Sequence, residues 1–162
     1  MANPLIMVVE DEVSDAQKIA ETLTATGKYE AVTANSAKDA FAILQKQNKF
    51  FNLFKNPVKL ILLDIKMPDM DGLQFLSELR KKFAAEQIGV IMVTAYEDES
   101  KWDKATDGWV VGYITKPFDP SILLSTVNRF FSDPEAYVEM TINTFEKHIE
   151  KKEEFRQNKA GT

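Results

Sequence analysis

Apolar residues occur along this chain in short unbroken runs, and between the runs they recur at helical spacing. Leu5 to Val9 is the first run and stops abruptly at Glu10, Asp11 and Glu12, the pattern of a strand buried on both faces with its C-terminal end at solvent. Ser14 is placed to cap a helix carrying Ala16, Ile19, Ala20 and Leu23 as far as Gly27. Tyr29 to Thr33 reads as a weaker strand, followed by a helix from about Ser36 with Ala40, Phe41 and Leu44 on one face. Leu60 to Leu63 is the most strand-like run and ends in Asp64. Pro68 and Asp71-Gly72 then mark a loop before the stripe Leu73, Leu76, Leu79, Phe83. Ile88 to Val93 ends at Thr94, and a polar helix is predicted from about Asp98 to Asp107. Val110 to Ile114 leads to Thr115, Lys116 and Pro117, after which Asp119-Pro120 opens a helix through Ile122, Leu123, Val127 and Phe130.

Repeated strand and helix units in this order predict an α/β fold, a doubly wound five-stranded parallel sheet with helices on both faces. Such sheets gather functional groups beyond the carboxyl ends of their strands, where these polar residues fall. Two stretches exceed the minimum. Asn48 to Pro57 contains Phe50, Phe51 and Phe54, which read as aromatics of a lengthened helix folded back onto the domain, with a docking patch as the alternative. After Ser132, Asp133-Pro134 starts a sixth helix in which Val138, Ile142, Phe145 and Ile149 form an apolar seam broken by Lys152 and Arg156. Residues 1–132 are thus expected to form the domain and 133–162 a helical extension that packs on its own domain, pairs with another chain or begins a linker. His148, the single histidine, lies on that charged helix and is expected to be solvated.

A chain of 162 residues with 44% hydrophobic and 28% charged residues suits one folded domain able to bury a core. Its net charge of -5, with no long Lys/Arg cluster, argues against direct nucleic-acid binding. The absence of cysteine excludes disulfides, thiolate catalysis and sulfur-ligated metal. No apolar run approaches the ~20 residues needed to cross a bilayer, and Met1 to Pro4 lacks the features of a signal peptide, so a cytoplasmic address is expected and no membrane partner.

Strands one and three would bring Glu10, Asp11 and Asp64 together, and like charges about 4 Å apart repel by roughly 4 kcal/mol at an effective dielectric near 20. A hard divalent cation such as Mg²⁺ suits those oxygens and retains waters and a phosphate oxygen as further ligands. Lys116 supplies a second cation and Thr94 a hydroxyl. Carboxylates, a metal, an ammonium and a hydroxyl around one open site meet the needs of phosphoryl transfer, with a carboxylate as nucleophile.

Val8-Val9-Glu10-Asp11-Glu12, Leu62 through Gly72, Val93-Thr94-Ala95 and Tyr113 through Phe118 together resemble the signatures of the response-regulator receiver family, over residues 5 to about 131. The resemblance implies a flavodoxin-like strand order 2-1-3-4-5 and a signalling domain of two-component systems. It implies that Asp64 takes a phosphoryl group from a sensor histidine kinase or phosphotransfer protein. It further implies that Asp11, Asp64 and the Lys66 carbonyl hold Mg²⁺, that Glu10 assists through water, and that Lys116 contacts the phosphoryl group across a cis Lys116-Pro117 bond. Thr94 and Tyr113 would then switch a protein-binding face formed by strand five and the last two helices. Gly108-Trp109-Val110-Val111-Gly112 departs from the family's usual composition, so the loop into strand five is expected to be shaped differently. Lys66 and Tyr96 are expected to tune the phosphoryl lifetime. Two rivals are a Mg²⁺-dependent phosphohydrolase, against which Lys66 stands where such enzymes carry a second acid, and a degenerate receiver that only binds protein.

Overall fold

Five strands pair side by side, all parallel, in the order β2-β1-β3-β4-β5. The computed structural model describes residues 2–49, 57–95 and 99–161. The strands are β1 Leu5–Val9, β2 Glu30–Ala34, β3 Val58–Leu63, β4 Gly89–Thr94 and β5 Gly112–Thr115. The helices are α1 Val13–Thr24, α2 Ala37–Lys49, α3 Gly72–Lys82, α4 Glu99–Asp107, α5 Pro120–Ser132 and α6 Ala136–Ala160. The predicted doubly wound architecture and strand order are both present.

The central strands are apolar throughout because helices cover both sheet faces. On one face Met7, Val9, Ile61, Leu63, Val90 and Met92 meet Leu44 of α2 and Phe75 and Leu79 of α3. On the other, Ile6, Val8, Leu60, Leu62, Ile91 and Val93 meet Leu23 of α1 and Leu123 and Val127 of α5. The pairing keeps the strand ends level: Val9 lies opposite both Ala34 and Leu63, and Thr94 opposite Thr115. One edge of the sheet therefore collects the residues that follow each run.

Several element boundaries differ from the sequence reading. Ser14 does not cap α1; the helix begins at Val13, and the Ser14 hydroxyl donates to Glu12 Oε1 at 3.4 Å. Ser36 does cap α2, its hydroxyl accepting from the Asp39 amide at 3.0 Å. Asp119 caps α5 by accepting from the Ser121 amide at 2.8 Å, with Pro120 in the first turn. Strand β5 is shorter than predicted, because Val110 and Val111 are buried while lying outside the strand. Phe50, Phe51, Phe54 and Tyr96 lie outside the described residues.

Helix α6 is not a free extension, since it packs against α4, α5 and β5. Its inward residues are Ala136, Met140, Thr144 and His148. His148 is buried rather than solvated: its Nε2 pairs with Asp103 Oδ1 at 2.6 Å, and its ring stacks on Trp102 with centroids 6.0 Å apart. Trp102 also stacks on the ring of Tyr113, with centroids 4.1 Å apart. Lys152 adds a second bond to Asp103 at 2.7 Å. The seam Val138, Ile142, Phe145 and Ile149 faces away from the domain. A 3.6-residue period states which residues share a face; the aromatic pair on α4 and β5 decides which face is covered.

Candidate functional site

Glu10, Asp64 and Lys116 stand just past a strand, and Thr94 closes one. Glu10 follows β1, and its amide donates to the Ala34 carbonyl of β2 at 3.0 Å. Asp64 follows β3, held by its own amide to the Val9 carbonyl at 3.0 Å and by its Oδ1 accepting from the Ile65 amide at 2.8 Å. Lys116 follows β5, its amide donating to the Thr94 carbonyl at 2.9 Å. Thr94, at the end of β4, is fully buried.

Glu10, Asp11 and Asp64 each offer a carboxylate oxygen, and the three lie within 4.8 Å of one another. Glu10 and Asp64 are buried while Asp11 is exposed, so the cluster opens outward through Asp11. Lys116 Nζ donates to Glu10 Oε2 and lies 3.5 Å from Asp64 Oδ2. Asp15, one turn into α1, is 3.8 Å from the same ammonium. Sequence reasoning missed Asp15; its signal was position, in the first turn of α1 and four to five residues after Asp11 and Glu10. A groove of about 430 Å³ opens beside Lys116, bounded by Asp15, Lys18 and Phe118.

One lysine against three carboxylates leaves the cluster short of positive charge. Burial, opposed by the Lys116 bond and reinforced by the Asp64 charge, raises the Glu10 carboxyl to about 7. Burial works against the Lys116 charge too, but its bond to Glu10 and the nearby Asp64 carboxylate prevail and hold its pKa above the usual lysine value. Oxygen donors gathered at this spacing, with unmet negative charge and an open side, fit a hard divalent cation. A carboxyl raised in the folded state keeps a proton that the unfolded chain loses at its ordinary value. Metal-free stability is therefore expected to fall as pH rises from about 5 to 7, and Mg²⁺ to cancel that fall by replacing the proton. Denaturant titrations at pH 5 and 7 with and without Mg²⁺ check this; equal midpoints at both pH values without metal would refute it.

The loop after Asp64 is fixed by Ile65 and Met67, both buried in the core. Gly72 returns to it, donating its amide to the Ile65 carbonyl at 2.7 Å. Asp71 then caps α3 reciprocally with Gln74: Asp71 Oδ1 accepts from the Gln74 amide at 2.8 Å, and the Asp71 amide donates to Gln74 Oε1 at 3.0 Å. Asp69 adopts φ 67 on the way, a conformation aspartate tolerates better than most residues. Lys66 is exposed two residues beyond Asp64. The Lys116-Pro117 bond is cis. Tyr113 is half-buried on Trp102, and the loop before it carries Trp109 at φ 56.

Acidic residues after β1 and β3, a buried threonine ending β4 and a lysine after β5 also recur in known proteins. The family model for the response regulator receiver domain matches residues 6–128. The chain belongs to the response-regulator receiver family. A chemotaxis protein CheY homolog of Campylobacter jejuni is 30% identical over 73% of this chain and 85% of its own. The probable transcriptional regulator ycf29 of Pyropia yezoensis is 32% identical over 78% of this chain but only 53% of its own, so this receiver spans about half the length of that relative. Among solved structures, the CheY-like receiver domain protein of Methanospirillum hungatei superposes with a TM-score of 0.71, at 25% identity over 83% of this chain and 98% of the other. Receivers of this family are signalling domains of two-component systems, acting between histidine kinases and downstream effectors, and phosphoryl acceptance by an aspartate is their standard activity. Among the described residues, no helix of this receiver is long and apolar enough to cross a membrane.

Proposed function

We propose that this receiver takes a phosphoryl group on Asp64 from a sensor histidine kinase or phosphotransfer protein and relays the change to a protein target. The observation that carries the reading is the meeting of Glu10, Asp11, Asp64 and Lys116 from three strand ends around one open site. Asp64 Oδ2 attacks the phosphorus of a phosphohistidine. A P–O bond forms, the P–N bond breaks, and its electron pair returns to the imidazole nitrogen. Asp64 Oδ1 is occupied by the Ile65 amide, which leaves Oδ2, the oxygen facing Lys116, as the nucleophile. Lys116 neutralises charge on the incoming phosphoryl oxygens, and Thr94 offers its hydroxyl from the adjacent strand end. Asp11, Asp64 and the Lys66 carbonyl would hold Mg²⁺, with Glu10 assisting through water, and the ion would there neutralise the spread negative charge of the transfer. The domain so catalyses its own phosphorylation and a slow hydrolysis, with Lys66 and Tyr96 setting the phosphoryl lifetime. It works in the cytoplasm, without nucleic acid.

An aspartyl phosphate adds about -1.5 to -2 charges beside Lys116. Reversing a 1:99 equilibrium takes roughly 5.5 kcal/mol of differential interaction, within reach of a new doubly charged group facing an ammonium and a divalent ion. The moving parts are Thr94, drawn toward the phosphoryl group, and Tyr113, which follows it away from Trp102. Because the Trp102 ring stacks on both Tyr113 and His148, that motion reaches α6. The target-binding face of β5, α4 and α5 therefore includes the helix lying over it.

Incubation with acetyl phosphate and Mg²⁺ is expected to add the mass of one phosphoryl group, mapped to the peptide containing Asp64 and lost on chelation of the metal. Unchanged intact mass under these conditions would defeat the reading.

A further inference from the structure

Helix α6 has two apolar faces. Its inward face is buried on the domain, while Val138, Ile142, Phe145 and Ile149 remain 43%, 52%, 51% and 44% exposed. Trp109, 62% exposed, stands beside the start of this outward face. It shares with Val138 and Ile142 a groove of about 540 Å³ floored by Ala84 and Ala85. The φ of 56 at Trp109 closes α4, its amide donating to the Thr106 carbonyl at 2.9 Å, and leaves the indole in solvent.

We propose that this face docks a second copy of the chain, the two α6 helices lying antiparallel. The five side chains leave on the order of 500 Å² of apolar surface per copy, so two copies reach the ~1,000 Å² at which a specific interface becomes stable. Pairing centred between Ile142 and Phe145 sets Ile142 against Phe145 of the partner subunit, and Val138 against Ile149 of the partner subunit. A parallel pairing would instead press Arg156 against its own copy. The antiparallel arrangement does bring Glu139 near Glu146 of the partner subunit, but both are exposed, where salt screens like charges.

The end of α6 chooses the same occupant. Residues 153–160 are all exposed and run on beyond the residues buried against the domain. In the antiparallel pair this end runs past the start of the other copy's α6, where the register carries Arg156 toward Glu86 of the partner subunit. The solvent-facing seam and the projecting end of α6 thus meet the other copy across one two-fold axis.

Sedimentation velocity of the full chain up to ~200 µM is expected to give a dimer, and Ile142→Glu and Phe145→Glu to weaken it at least 100-fold, about 2.7 kcal/mol. Both positions are exposed, so far-UV circular dichroism should be unchanged in the variants. The chain has no cysteine, so single thiols report orientation. A mixture of Val138→Cys and Ile149→Cys chains should oxidise to the mixed disulfide, and neither alone should link to itself. A wild type monomeric throughout, or a dimer indifferent to Ile142→Glu and Phe145→Glu, would overturn the proposal and leave the face to a different protein. Self-linked Val138→Cys would overturn the antiparallel arrangement.

Discussion

Asp64→Asn is expected to abolish phosphoryl gain from acetyl phosphate while making the metal-free protein more stable. Asparagine keeps the shape of the side chain and can still accept from the Ile65 amide as Asp64 does at 2.8 Å, so the β3 end should not move. It removes the nucleophile, and an amide does not form an acyl phosphate at useful rate. It also removes one of three carboxylates gathered within 4.8 Å, at the cost of a 3.5 Å contact to Lys116. Lys116 remains bonded to Glu10, so the lost attraction is partly retained while two repulsions disappear. The net gain should be on the order of 1 kcal/mol, a rise of about 2–4 °C in Tm for a domain of this size. Adding Mg²⁺ should narrow or reverse the difference, because the wild type binds the ion with one more charge. Intact mass and thermal melts with and without Mg²⁺ give both readings. A phosphorylated variant, or a metal-free variant less stable than wild type, would contradict the site described here.

The strands were legible because each central one is buried on both faces and so appears as an unbroken apolar run closed by a polar residue. That made Glu10, Asp64, Thr94 and Lys116 readable as neighbours before any coordinates, since a parallel sheet places all its carboxyl ends on one edge. Asp15 was not readable in this way. It lies within α1, where an acidic residue in the first turn is also explained by the helix dipole, and only the reach of Lys116 from β5 gives it a partner. His148 failed for a related reason. A histidine amid lysines and glutamates looks solvated, but Trp102 and Asp103 on α4, more than forty positions earlier, supply its stacking surface and its bond. Val110 and Val111 have the composition of a strand, yet pairing of β5 with β4 starts only at Gly112 opposite Ile91. Local pattern reports which residues avoid water; the distant element that shelters them is a property of the whole fold.

Gly72→Ala is expected to be the most damaging small substitution next to the site. Its φ is not the reason, for the conflict is one of space. A Cβ on Gly72 would stand 2.0 Å from the Asp64 carbonyl oxygen, 2.8 Å from its carbon and 2.9 Å from the Ile65 Cα. All three are backbone atoms, so no side-chain rotation relieves the overlap, and either the turn after β3 or the first turn of α3 must shift. Both are anchored, the turn by buried Ile65 and Met67 and the helix by the Asp71 and Gln74 cap. Gly89 makes a useful contrast, since its Cβ would meet only side chains, the ring of Phe130 at 2.5 Å and the Leu60 Cδ1 at 3.3 Å, rather than backbone. The cost at Gly72 should reach about 3 kcal/mol or more, a drop of roughly 10 °C in Tm. Asp64 would be displaced with its carbonyl, and a misplacement of about 1 Å can cost on the order of 100-fold in rate. Thermal melts combined with the initial rate of phosphoryl gain separate this from simple unfolding, because the rate should stay depressed at temperatures where the variant is fully folded. A Tm within about 2 °C of wild type and a normal rate would mean that the turn yields without effort, and that Asp64 is not held in place by α3.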